Sequence, residues 1–277
     1  MDSPAPTNRQ LLDRFLPIGA VIEEDLRQTI RHWAFVAWAA VGLLLTIVWF
    51  AIPKATPAPH APVPAANAVP HHPAAGAVEA APSPTASQLA GKLLRVHLLL
   101  WTSFVIALGA SSISGEADSA PESILCRGIS RWEYYLGKCF SRMLAVVGLF
   151  LLLTVPAIGV SCLRLENDLT WLGVWRSVST VAMVLAGIAA ISVAGSSWFR
   201  NPLAGVAVLW MLLYGLGIVT AVLDIEALSP LSMVEQLPDM LRGIAEESPR
   251  HRLVNGIGLA ALISTVISIG AYSFRDA

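Results

Sequence analysis

GEADSAPESILCRGISRWEYYLGKCFSR, residues 115–142, is a polar, charge-bearing island between two long apolar stretches, and the rest of the chain is placed by reading it. Ser119-Ala-Pro-Glu122 has the form of a capping box: the serine oxygen accepts an orphan backbone amide, Glu122 reaches back to the cap, and Pro121 has no amide to leave unpaired. A short helix is expected to start there. Gly128 takes positive φ readily and stops it, and Ser130-Arg-Trp-Glu133 then repeats the Ser-x-x-Glu pattern at the start of a second helix. That helix opens with Trp132, Tyr134 and Tyr135, carries Lys138 and Arg142, and becomes wholly apolar from Met143. The order is that of a helix entering a bilayer, with aromatic rings at headgroup depth and cations on the cytosolic side. Local physics fits an ordinary capped interfacial loop as well, because capping boxes mark helix starts and not functions.

Outward from the island the chain is too apolar for a soluble domain. Only 13% of its 277 residues are charged, against about 25% in soluble proteins, and its mean hydropathy is +0.65. It reads as an all-α integral membrane protein. A formal net charge of -1 offers no basic surface for nucleic acid. The cysteines, Cys126, Cys139 and Cys162, have neither metal-ligand spacing nor a convincing pairing, so no disulfide framework is expected. The first apolar run follows a mostly polar segment, residues 1–32, and is long enough to span, which argues against a cleaved signal peptide.

Six apolar runs meet the length a bilayer requires, about 20 residues each: 33–52, 96–113, 143–162, 177–196, 203–223 and 253–274. Before the first, Ile18, Val21, Ile22, Leu26, Ile30 and Trp33 recur at helical spacing, with Glu23, Glu24, Asp25, Arg27 and Gln28 largely on the other side. That pattern predicts an amphipathic helix, lying on the membrane surface or packed against a partner. Residues 53–91 are rich in Pro and Ala and have few large apolar side chains, so they are expected to form an extended linker outside the membrane. Its His60, His71 and His72 lack the thiolate or carboxylate company of a preorganised metal site. His97 is read as an interfacial residue near the outer end of the second span. Pro156 should kink the third span. The fourth, rich in Ala, Gly and Ser, should lie in the middle of a bundle. Residues 224–252 are too polar to span, but Leu231, Val234, Leu237 and Leu241 keep helical spacing, predicting short interfacial or re-entrant helices. With the N-terminus inside, ten of the eighteen Lys and Arg fall on the inner side, a bias carried by the first segments, and residues 275–277 return to the cytosol.

The motif around the island resembles the cytosolic loop of permease subunits in type 2 ATP-binding-cassette exporters. Glu116 and the run Glu122-Ser-Ile-Leu-Cys-Arg127-Gly-Ile-Ser130-Arg131-Trp132-Glu133-Tyr134-Tyr-Leu-Gly137-Lys138 carry the likeness, although Gly128 stands where that family usually has proline. The N-terminal helix, the long loop after the first span, the entry Leu228-Ser-Pro-Leu-Ser232 and the ending Phe274-Arg275-Asp276 are similar to it as well.

The resemblance implies a membrane domain over residues 33–274, in which residues 115–142 form a coupling helix that docks on a separate ATPase subunit. Glu116, Glu122, Arg127, Ser130, Arg131, Trp132, Glu133, Tyr134, Gly137 and Lys138 would form that interface. It further implies ATP and Mg on the ATPase, a second permease copy or a homologous permease as partner, membrane lipids around the chain, and residence in the cell (inner) membrane with both termini cytoplasmic. The sequence itself has no Walker A spacing around Gly137-Lys138 and no nucleophile-base pair, so the chain is not read as an enzyme. An intramembrane enzyme would need ionisable groups at mid-membrane depth, and the spans offer essentially none. The alternative is a membrane anchor or assembly protein without transport activity. An apolar pathway of Leu, Val, Ala and Gly fits lipids, peptides and other hydrophobic compounds alike.

Overall fold

The computed structural model describes residues 8–51, 85–114, 129–165, 167–199, 201–222, 230–244 and 247–274. Among these residues eight helices follow one another: α1 (Asn8–Arg31), α2 (Trp33–Ala51), α3 (Ala86–Ser114), α4 (Arg131–Arg164), α5 (Trp171–Ser196), α6 (Pro202–Val222), α7 (Pro230–Arg242) and α8 (Glu247–Phe274). Five are long and apolar enough to cross a membrane, and six when α1 and α2, bent by 64° to one another at His32, count as one span. This is the architecture of a multi-pass membrane protein. The 53–84 part of the Pro/Ala stretch with its histidines, the first capping box, and Glu116, Glu122, Arg127, Cys126, Gly128, Leu228 and Arg275 lie outside the described residues.

α3 and α5 form the centre, with α4 and α8 packed on α5, α6 on α3, and α7 across one end of the central pair. Small residues make this possible. A Cβ on Gly109 of α3 would run into Ser192 of α5, one on Gly187 into Ile257 of α8, and one on Gly195 into Leu209 of α6. In lipid, where burial of apolar surface drives little, such close backbone approach supplies the dispersion energy of association. The serines left at these contacts return their hydroxyls to the backbone, as Ser192 does to the Ile188 carbonyl at 2.7 Å, or bridge helices, as Ser268 does to the Ala194 carbonyl at 3.2 Å. Trp101, Phe150, Leu185, Leu237 and Leu241 are fully buried in the resulting core. α6 and α8 lie at the periphery and expose Leu203, Met211, Ile218, Leu259, Leu262 and Val266, the side chains lipid would cover.

Two local readings are corrected. α3 begins at Ala86, ten residues before the expected span, so residues 86–91 are helix and not linker, and Ala86, Ser87, Ala90 and Gly91 are buried. Its start is capped from far away in the chain: the Ser87 amide and hydroxyl donate to the two Asp168 carboxylate oxygens at 2.8 and 2.6 Å. No local pattern announces such a cap. His97 lies three turns inside this helix and is fully buried, with Nδ1 2.9 Å from the Leu93 carbonyl.

Candidate functional site

The end of the bundle at which α4 begins is where the sequence places the candidate interface. Ser130 caps α4: its hydroxyl accepts from the Glu133 amide at 3.4 Å, and the Glu133 carboxylate accepts from the Ser130 amide at 2.8 Å, the second capping box read from the sequence. α4 then runs for 34 residues, which at about 1.5 Å each is ~51 Å, against a hydrocarbon layer of about 30 Å. Its uncharged apolar portion starts at Met143. The first three turns, Arg131 to Arg142, therefore form a stem that extends the helix beyond its apolar part.

One side of this stem is occupied by α1. Tyr134, Gly137, Lys138 and Ser141 recur at i, i+3, i+4 and i+7 and are buried. A Cβ on Gly137 would come within 2.5 Å of Val21 Cγ1, so the glycine is what lets the two backbones close up. One turn further along α1, the Asp25 carboxylate, only 2% exposed, takes the Lys138 ammonium at 2.7 Å and the Arg142 guanidinium at 3.1 Å, both on Oδ1. The Lys138 ammonium also lies 5.5 Å over the Tyr134 ring. Two cations on one buried carboxylate satisfy much of the desolvation each group suffers, and loss of any one strands the others in a low dielectric.

A second side of the stem faces the bundle: Tyr135 and Cys139 are buried in a small cluster with Ile113 of α3 and Ala190 and Val193 of α5. Cys139 and Cys162 are free thiols. The remaining side presents Trp132 and Phe140, each about half exposed, and Leu144.

The structure thus divides the group named from the sequence. Ser130, Arg131 and Glu133 are partly exposed and Trp132 is exposed at the start of the stem. Tyr134, Gly137 and Lys138 instead turn into α1, where Lys138 is 3% exposed and ion-paired within the chain. Asp25 is the residue the sequence reading misplaced. Its spacing groups it with Glu23 and Arg27 on the polar side of α1; those two pair on the exposed side at 3.0 Å, whereas Asp25 and Thr29 are buried. The hint was present in the i, i+4 pairs Asp25/Thr29 and Lys138/Arg142, but only the register of α1 on α4 brings them together. α1 accordingly packs along α4, the second of the two placements its pattern allows.

No protein-family model matches the chain, and no curated protein matches it.

Proposed function

We propose that this chain is the membrane-spanning permease subunit of an ATP-binding-cassette transporter, of the exporter type, and that the stem of α4 with the segment before it is where a separate ATPase subunit docks. The observation that carries the reading is mechanical. A capped stem continuous with one span is pinned by a buried ionic cluster to α1, which leads directly into another, so a displacement at Trp132 reaches two spans at once. The exposed ring of Trp132 is the kind of rigid anchor that dominates protein interfaces, with Arg131 and Glu133 as a polar rim. ATP and Mg would be bound by the ATPase, and a second permease copy or a homologous permease would complete the membrane domain. On this reading the stem is cytosolic, as are both termini, and α7 lies on the opposite face of the cell (inner) membrane.

The experiment is purification of the full chain with the ATPase expressed from the same cells, for the wild type, Trp132→Ala and Arg131→Glu. Loss of a buried aromatic anchor costs about 2 kcal/mol or more, a roughly thirtyfold weaker association, and a rim charge less. Co-purification in the wild type and its loss in Trp132→Ala, with membrane insertion unchanged, is the expected result. If no ATPase accompanies the wild type, or both variants retain it at the wild-type level, the chain is a membrane anchor whose island is an ordinary capped loop.

A further inference from the structure

At the other end of the bundle, α7 lies across the central helix pair on a seat made of glycine. The Pro238 ring rests on Gly91 of α3, where a Cβ would come within 2.8 Å of Pro238 Cγ, and the Met240 and Leu241 carbonyls rest on Gly173 of α5. Val234, Leu237, Met240 and Leu241 make the buried underside. The glycine pads allow close approach and let these side chains reach the main core. Polar contacts at its C-terminal end add to this packing. Arg242 Nε donates to Asp168 Oδ2 at 2.9 Å and to Ser87 Oγ at 2.8 Å, its Nη2 donates to Thr85 Oγ1 at 3.1 Å, and the Thr170 amide donates to the Leu241 carbonyl at 3.1 Å. Three segments far apart in sequence, the start of α3, the α4–α5 turn and the end of α7, meet in this one clasp.

Immediately after it the backbone turns. Gly243 has φ of +79°, the left-handed region that a side chain resists. The Gly243 and Ile244 amides return to the Met240 and Asp239 carbonyls, each at 3.0 Å, which is the Schellman arrangement that ends a helix. Arg242 and Asp168 remain a quarter to a third exposed, so water has access to the ion pair but not to the apolar underside. Burial by itself would raise the Asp168 carboxyl, but hydrogen bonds from the Ser87 side chain and amide, then from Arg242 and Thr85, outweigh it and hold the group well below the usual carboxylate range.

We propose that α7 is a plug over the end of the α3–α5 pair, latched by Arg242 on Asp168 and Ser87 and lifting at that end, where Gly243 turns the chain, when the latch opens. A 13-residue helix packed by one face, with a water-accessible ion pair at its end, opens locally at lower cost than the longer central helices beneath it. Opening would uncover Gly91, Gly173 and, one turn inward on α3, Leu94. The plug stands on this geometry alone and requires neither an ATPase nor a transport reaction.

The test uses the full chain in permeabilised membranes, with the three native cysteines replaced by alanine and a single cysteine put at Leu94, reacted with a small maleimide. With the latch intact, labelling is slow but measurable. Arg242→Gln or Asp168→Asn accelerates it at least tenfold, and Ser87→Ala, which removes one latch hydroxyl, accelerates it less. A cysteine at Leu185, fully buried in the same core, reports general loosening and stays protected in every variant. If latch variants leave the Leu94 rate unchanged, or raise the Leu185 rate in the same proportion, α7 is a fixed cap and the proposal fails.

Discussion

Replacing Asp25 by Asn tests whether the cluster under α1 holds the stem together. The substitution keeps shape and removes one negative charge, which leaves the Lys138 and Arg142 side chains, 4% and 12% exposed, facing each other over a neutral amide. With so little solvent to screen them, the loss should approach what removing one member of a buried pair costs elsewhere, about 3–5 kcal/mol. Removing the opposing cation as well relieves the repulsion. The double variant Asp25→Asn with Lys138→Met should therefore be less unstable than the sum of the single changes by about 1–3 kcal/mol, the usual coupling of contacting residues. Thermal unfolding of the detergent-solubilised chain gives the four corners of the cycle, and protease sensitivity of residues 8–31 shows whether α1 is the part released. Replacing Asp25, Lys138 and Arg142 together by Leu, Met and Leu should recover most of the stability, since apolar side chains of similar volume often substitute for a buried ion cluster. Additivity to within about 0.5 kcal/mol, with α1 still protected in Asp25→Asn, would refute the reasoning: the three groups would then be neighbours without mutual dependence.

Gly137→Val should push α1 off the stem, costing about 1–3 kcal/mol by overpacking, and Val21→Ala in the same chain should recover part of the loss; equal destabilisation with and without that change would mean the crowding lies elsewhere. Gly109→Leu should disrupt the α3–α5 contact and abolish assembly of the bundle, judged by monodispersity in mild detergent, because Ser192 and its backbone leave no room for a side chain. For the α7 latch, the Asp168 carboxyl lies below its ordinary value in the folded chain, so its contribution is complete above about pH 4 and fades only as pH falls further through the depressed folded value. Labelling of a cysteine at Leu94, normalised to a free thiol, should accordingly be flat from pH 8 to pH 5, and a step near pH 6 would assign the latch to another group.

The membrane-protein class, most of the helix ends and the capping box at Ser130 follow from local chemistry. Runs free of charge must span or be buried, Ser130 and Glu133 sit at the spacing in which each satisfies the other's orphan amide, and α5, rich in Ala, Gly and Ser, is suited to a crowded centre whatever its neighbours are. α7 was likewise foreshadowed by Val234, Leu237 and Leu241. What the tertiary structure decided is every relation between segments far apart in the chain. Asp168 caps α3 through Ser87, 81 residues earlier, Asp25 meets cations 113 and 117 residues later, and His97 is buried among other helices. The reason is physical: periodicity records how much of a helix is apolar, whereas a charge on its polar side is solvated or buried according to the register and hand with which another helix packs against it. That register is set by steric fits such as Gly137 on Val21 and Gly109 on Ser192, which exist only once both backbones are in place.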